Sequence, residues 1–234
     1  MSTREDVEKG LLVYSCRGGW IDKNHALKTT TRPFVGADNL WKQILNETGP
    51  KSKSSSENGY QVTYIQDATR MRIGVTKRYC VKYGLPLNVK ESVALAIFQE
   101  VSMEFEDMQG WGRLIGSDSS FSVEDLVSNL IGFYNVVRPG PDYVALCQPV
   151  SKEASLKIWD TKGAVGSHKN RKFEPVFFDC DECTAKGPFP IELQKIIPAI
   201  KTTSIAGASQ FFRDWVPSDY GPITLPPIER GPKW

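Results

Sequence analysis

The chain has 234 residues, 40% hydrophobic and 24% charged, enough to bury a core and ordinary for a folded domain, so global disorder is excluded. Its 29 basic and 27 acidic residues leave a net charge of +2 with no basic run, which argues against nucleic acid as a partner. Five cysteines at irregular spacing (Cys16, Cys80, Cys147, Cys180 and Cys183) do not describe a disulfide framework for so large a domain, so reduced thiols are expected.

The first ten residues are polar, and the apolar stretch at 11–14 is too short for a signal-peptide core or a membrane span; a soluble chain with no Sec signal is expected. That stretch reads as a short buried strand running into Gly18 and Gly19, where a sharp turn would present Asp22 and His25. After Asp38, residues Leu40, Trp41, Ile44 and Leu45 follow helical spacing, and Gly49-Pro50 ends the helix. Residues 51–59 form a Ser-rich polar loop. Alternation over 60–66 and 71–81 predicts two strands pairing as a hairpin around 67–70.

Asn88 with Glu91 three residues on resembles a capping box, and behind it Ala94, Ile97, Phe98, Val101, Phe105 and Met108 recur at helical spacing. A loop with Gly110, Gly112 and Gly116 follows. Ser122 and Asp125 then repeat the capping pattern before Leu126, Val127, Leu130 and Ile131. Beyond Arg138 prolines are scattered, residues 143–146 read as a strand, and periodicity returns only at 192–200. The last stretch, with Pro217, Pro222, Pro226, Pro227 and Pro232, is expected to be extended. These elements describe an α+β single domain over residues 1–234: a small, mostly antiparallel sheet and two central helices in a motif-bearing core at 11–138, and a loop-rich wrapping region at 139–234.

Three motifs could carry chemistry. In the first, His25 follows Asp22 by three residues beyond the glycine turn, as a base oriented by a carboxylate would, or as a metal ligand beside a second; the alternative is a local hydrogen bond in a turn. Histidine is scarce, since only His25 and His168 are present. In the second, Glu100, Glu104 and Asp107 share one helical stripe, suited to a divalent cation or to a solvated face, while Glu106 points away from them beside the Gly-rich loop. In the third, capping accounts for Ser122 and Asp125, leaving Glu124, Ser128 and Asn129 without a structural reason. Glu106 facing Glu124 or Asp125 across the loop would make a pair able to act as general acid and base, as in glycoside hydrolysis. Cys180 and Cys183 form a CxxC with only His168 near as a further zinc ligand, and Cys16 activated by His25 is a thiol alternative to a small apolar residue closing the first strand.

The stretches YSCRGGWIDKNHA (14–26), EVSMEFEDMQGW (100–111) and SSFSVEDLVSNLIG (119–132) resemble an uncharacterised family of bacterial predicted lipoproteins, a domain of unknown function. The resemblance covers rather more than the first half of the chain, and its last motif is the most specific. Members often carry His immediately before the helix Glu, where this chain has Phe105. The resemblance implies a functional site at these motifs and a cell-envelope setting, periplasmic or secreted, without assigning an activity. The lipoproteins' signal and lipobox are not seen here, so a trimmed chain or another export route is expected.

The expected function is a hydrolase acting on a cell-envelope polymer, glycan or peptide, with Glu106 as general acid or base, Glu124 or Asp125 as second carboxylate, and His25 with Asp22 completing the site. A metal-dependent hydrolase using His25, Asp22 and the Glu100 stripe around a divalent metal is the alternative enzyme. A binding module for carbohydrate or a protein partner, using exposed members of the six tryptophans, is the alternative without catalysis.

Overall fold

The computed structural model describes residues 2–27, 32–54, 58–68, 73–111, 120–184, 186–190 and 211–220. A short helix, α1 (Arg4–Glu8), opens the chain, started by a capping box between Thr3 and Asp6. The strands β1 (Leu12–Ser15) and β2 (Gly19–Asp22) pair antiparallel in a tight hairpin with Ser15 opposite Gly19. Gly19 has φ +64°, and a Cβ there would stand 2.5 Å from the carbonyl oxygen of Val176, so the turn needs glycine both for its backbone and for this close approach. Asp22 then caps α2 (Lys23–Ala26), its carboxylate accepting from the Asn24 N–H at 2.7 Å.

Next, α3 (Gly36–Asn46) buries Leu40, Trp41 and Ile44 and stops at Glu47, which adopts the left-handed conformation ahead of Gly49-Pro50. The predicted hairpin is present as β3 (Gly59–Ala68) and β4 (Ile73–Lys82), and β5 (Phe212–Asp214) adds a third antiparallel strand beside β4. The fold is α+β with two antiparallel sheets, of two and three strands, where the sequence reading had one.

Two long helices carry the core. In α4 (Leu87–Trp111) the predicted stripe of Ala94, Ile97, Phe98, Val101 and Phe105 is buried. The cap assignment at its start is corrected: the helix begins at Leu87, so Asn88 lies inside its first turn, and Glu91 instead forms a bidentate pair with Arg138. In α5 (Asp125–Val137) Leu126, Val127, Leu130, Ile131, Phe133, Tyr134 and Val137 are all buried, as befits a helix surrounded by other elements. These helices, α3 and the larger sheet share one apolar cluster; a second, smaller one joins α1, β1 and β2 through Val7, Leu12, Tyr14 and Trp20 to Val123, Ile158 and Val165.

The wrapping region is more regular than expected as far as residue 162. Residues 143–146 are a helical turn, α6 (Tyr143–Leu146), because the Asp142 carboxylate accepts from the Ala145 N–H and caps it. An unforeseen helix, α7 (Lys152–Lys162), starts at the Ser151 cap and buries Ser155 and Ile158 against β1. The predicted periodicity at 192–200, most of the proline-rich end, and the loop at 112–119 lie outside the described residues. Among those described, no helix is long and apolar enough to cross a membrane.

The cysteines correct a further expectation. Cys16, at the hairpin turn, is bonded to Cys183 across 167 residues of sequence, so it is neither a reduced thiol nor a nucleophile, and Cys183 is not available as a zinc ligand. Cys80 and Cys147 are buried free thiols and Cys180 is a partly exposed one.

Candidate functional site

The site is organised by a stripe on α5. Asp125, Ser128, Gly132 and Asn135 recur at helical spacing and face the β2–α2 segment rather than the apolar core. The Ser128 hydroxyl accepts from the Asp22 N–H at 2.9 Å and donates to the Glu124 carbonyl oxygen at 2.6 Å. Asn135 donates to the Ala26 carbonyl oxygen at 2.9 Å. Between them Gly132 lets the backbones meet: a Cβ there would be 3.0 Å from the carbonyl oxygen of His25. This close docking sets the His25 imidazole at the start of α5, its Nδ1 3.6 Å from Asp125 Oδ1 and 4.0 Å from Asp22 Oδ2. Both distances are within ion-pair range and longer than a hydrogen bond.

Behind Asp125 stand two buried glutamates. Glu106, 3% exposed, accepts from the Phe121 N–H at 2.7 Å. Phe121 adopts a left-handed φ of 53°, which points that N–H at the carboxylate, and its ring lies under the Arg171 guanidinium. Glu124, 1% exposed, accepts from the hydroxyls of Ser2 at 2.8 Å and Ser122 at 2.6 Å. The second capping box is therefore only half formed. Asp125 accepts from the Ser122 N–H at 3.1 Å as expected, but the Ser122 hydroxyl serves Glu124 and the helix starts at Asp125.

Burial and mutual repulsion decide the charge state of this group. Desolvation, reinforced by the Glu124 charge, pushes Glu106 up to about 7, opposed by the Phe121 N–H and by the Lys169 ammonium. Desolvation, with the charges of Glu124, Glu106 and Asp22, pushes Asp125 well above the ordinary carboxylate range. Carboxyls that hold protons near neutral pH are the usual equipment of general acids.

The chain matches no family model, curated protein or solved structure with which it was compared.

All four predicted site residues, Asp22, His25, Glu106 and Glu124, are brought to one place, joined by Asp125, which capping had seemed to explain. They divide by exposure: the His25 side chain is 41% exposed and that of Asp125 13%, whereas the two glutamates are inside. Lys169, whose ammonium donates to the Ser120 carbonyl oxygen at 2.9 Å, was missed because nothing local ties residue 169 to residue 120. The Gly132–Asn135 end of the stripe was missed as well, though its spacing from Ser128 was readable.

The acidic stripe belongs elsewhere. Glu100 and Glu104 both pair with Lys77 of β4, and Asp107 pairs with Arg171 at 3.1 Å, so these carboxylates are partnered and do not join His25. Among the described residues, no three His, Cys, Asp or Glu side chains are grouped as a metal's donor set. His168 bonds the Lys162 carbonyl oxygen and packs on Phe178, a structural role. Among the tryptophans whose side chains are described, Trp20 and Trp41 are buried and Trp159 and Trp215 half-buried.

Proposed function

We propose that the chain is a hydrolase using carboxylate acid and base chemistry with a histidine, and that its substrate is a cell-envelope polymer. The observation that supports the reaction class is His25 held beside Asp125, a carboxyl whose hold on its proton is strengthened first by burial and then by the charges of Glu124 and Glu106. His25, the accessible base, takes a proton from water as its oxygen attacks the scissile centre. Asp125 gives its proton to the departing atom. The proton on His25 then returns to Asp125, and the resting state is restored. In this scheme Glu106 and Glu124 position charge rather than touch substrate, and Asp22 orients His25 while capping α2.

The setting is supported by two things: the resemblance to envelope lipoproteins, and the Cys16–Cys183 disulfide, which suits an oxidising compartment. The test is incubation with purified bacterial cell-wall sacculi, with soluble fragments analysed by mass spectrometry for new reducing ends or new amines. Wild type is expected to release fragments. His25→Ala and Asp125→Asn are expected to lower release by about 10²-fold or more, the usual worth of a positioned acid or base. Glu106→Gln, which removes a neighbouring negative charge, is expected to move the alkaline limb of the rate profile to lower pH. Full release by His25→Ala would refute the scheme. Because Glu106 and Glu124 also tie Ser2, Phe121 and Ser122 together, a buried network serving a binding module is the second reading. Retention on sacculi with no product would favour it.

A further inference from the structure

Away from the carboxylates, three of the five cysteines converge. Cys183 carries the bond to Cys16, and Cys180, three residues before it, is a partly exposed free thiol. The Cys183 N–H donates to the Cys180 carbonyl oxygen at 3.2 Å, closing a turn over 180–183. The first and last residues of such a turn have Cα atoms less than about 7 Å apart, a separation that overlaps the span of a disulfide. Cys183 therefore has a second sulfur partner within reach of a small local movement. Cys180 also lines a surface depression of about 260 Å³ between α7 and residues 179–182, bordered by Lys157, Thr161 and Asp181, which leaves the thiol approachable from solvent.

We propose that Cys16, Cys180 and Cys183 form a thiol–disulfide exchange site. Cys180, as thiolate, attacks Sγ of Cys183; the Cys180–Cys183 bond forms as the Cys16–Cys183 bond breaks, and Cys16 leaves as a thiolate that takes up the proton Cys180 released. No electrons are gained or lost, so the step needs no oxidant or reductant. What changes is the connectivity. In one isomer the β1–β2 turn is tied covalently to the segment after α7; in the other the bond closes a four-residue turn and ties nothing distant.

Exchange does not require unfolding, because non-covalent contacts hold the same two segments together. The Gly187 N–H donates to the Cys16 carbonyl oxygen at 3.0 Å, Arg17 Nε donates to the Pro188 carbonyl oxygen at 3.0 Å, and the Tyr14 hydroxyl both donates to and accepts from the backbone of Phe178. Since β2 leads directly into Asp22 and α2, the exchange changes how firmly the scaffold of the carboxylate site is held, whatever reaction that site performs.

The experiment is disulfide mapping of the intact chain, held at about pH 8 without added thiol so that thiolate is present, quenched in acid, unfolded, and alkylated with a maleimide in mildly acidic solution where exchange is slow. Both the Cys16–Cys183 and the Cys180–Cys183 linkages are expected, with Cys16 alkylated in the second. In Cys180→Ser, Cys16 labelling is expected to be lost. In Cys16→Ser, oxidised glutathione is expected to yield the Cys180–Cys183 bond. Finding Cys16–Cys183 as the sole linkage in wild type, with Cys180 fully alkylated and Cys16 never, overturns the proposal. Should Cys16→Ser fail to fold, the wild-type map and Cys180→Ser decide it.

Discussion

Glu106 lies inside the protein among other acids, and burial outweighs the support that the Phe121 N–H and the Lys169 charge give its anion, so its ionisation works against the fold. A carboxyl that binds its proton more tightly when folded stabilises the protein while protonated. The contribution of Glu106 is full below its ordinary value of 4.5 and is lost as the pH rises to about 7. The loss is on the order of 3 kcal/mol, and Asp125 acts in the same direction. Glu106→Gln keeps an acceptor for the Phe121 N–H and removes the charge. Thermal unfolding should place this variant above wild type at about pH 8 and level with it at about pH 4. Parallel curves for the two proteins would mean that Glu106 does not carry this proton.

The site depends on how one element, α5, meets its neighbours. Its polar stripe docks β2 and α2, its buried faces meet the core, and its first residue faces His25; the hairpin that delivers Asp22 is in turn anchored by the Cys16–Cys183 bond and by the contact of Gly19 with Val176. A cross-link closing so long a loop restricts the unfolded chain, and its reduction should cost about 3–5 kcal/mol. Urea unfolding with and without reductant should show a lower midpoint after reduction. An unchanged midpoint would mean that the disulfide contributes nothing to global stability, and that non-covalent contacts alone hold the hairpin.

Across the whole molecule, acid and alkaline limits have different owners. Far from the carboxylate cluster, Asp219 is 1% exposed and accepts two bonds from Arg213, at 2.7 and 2.8 Å, one from the Ser52 hydroxyl and one from the Val216 N–H, clasping the β5 segment to the loop before β3. These donors, the Arg213 guanidinium foremost, hold its carboxyl down at about 2. Its contribution is therefore present above the ordinary value of 3.8 and disappears as the pH falls towards 2. With Glu106 and Asp125 losing theirs on the other side, the melting temperature should peak at about pH 4–5 rather than at neutrality. Asp219→Asn should cost about 3 kcal/mol, since it breaks a buried ion pair, and should remove much of the acid limb. A flat acid limb in wild type would contradict this assignment.

What the sequence by itself determined was local. The stripe from Ala94 to Phe105 dictated α4, alternation dictated β3 and β4, and the glycine pair dictated the β1–β2 turn, because each needs only a periodicity or a backbone freedom carried within a few residues. The candidate residues were picked out on equally local grounds: His25 is scarce, and Glu106 points away from the acidic stripe beside the Gly-rich loop. Helix α7 was not readable, since Ser155 and Ile158 give too thin an apolar face. Only the tertiary structure paired Cys16 with Cys183, set Lys169 near Glu106, and turned Asp125 from a cap into the partner of His25. Each of these joins segments far apart in the chain, and such encounters are fixed by packing of the whole core and not by any local rule.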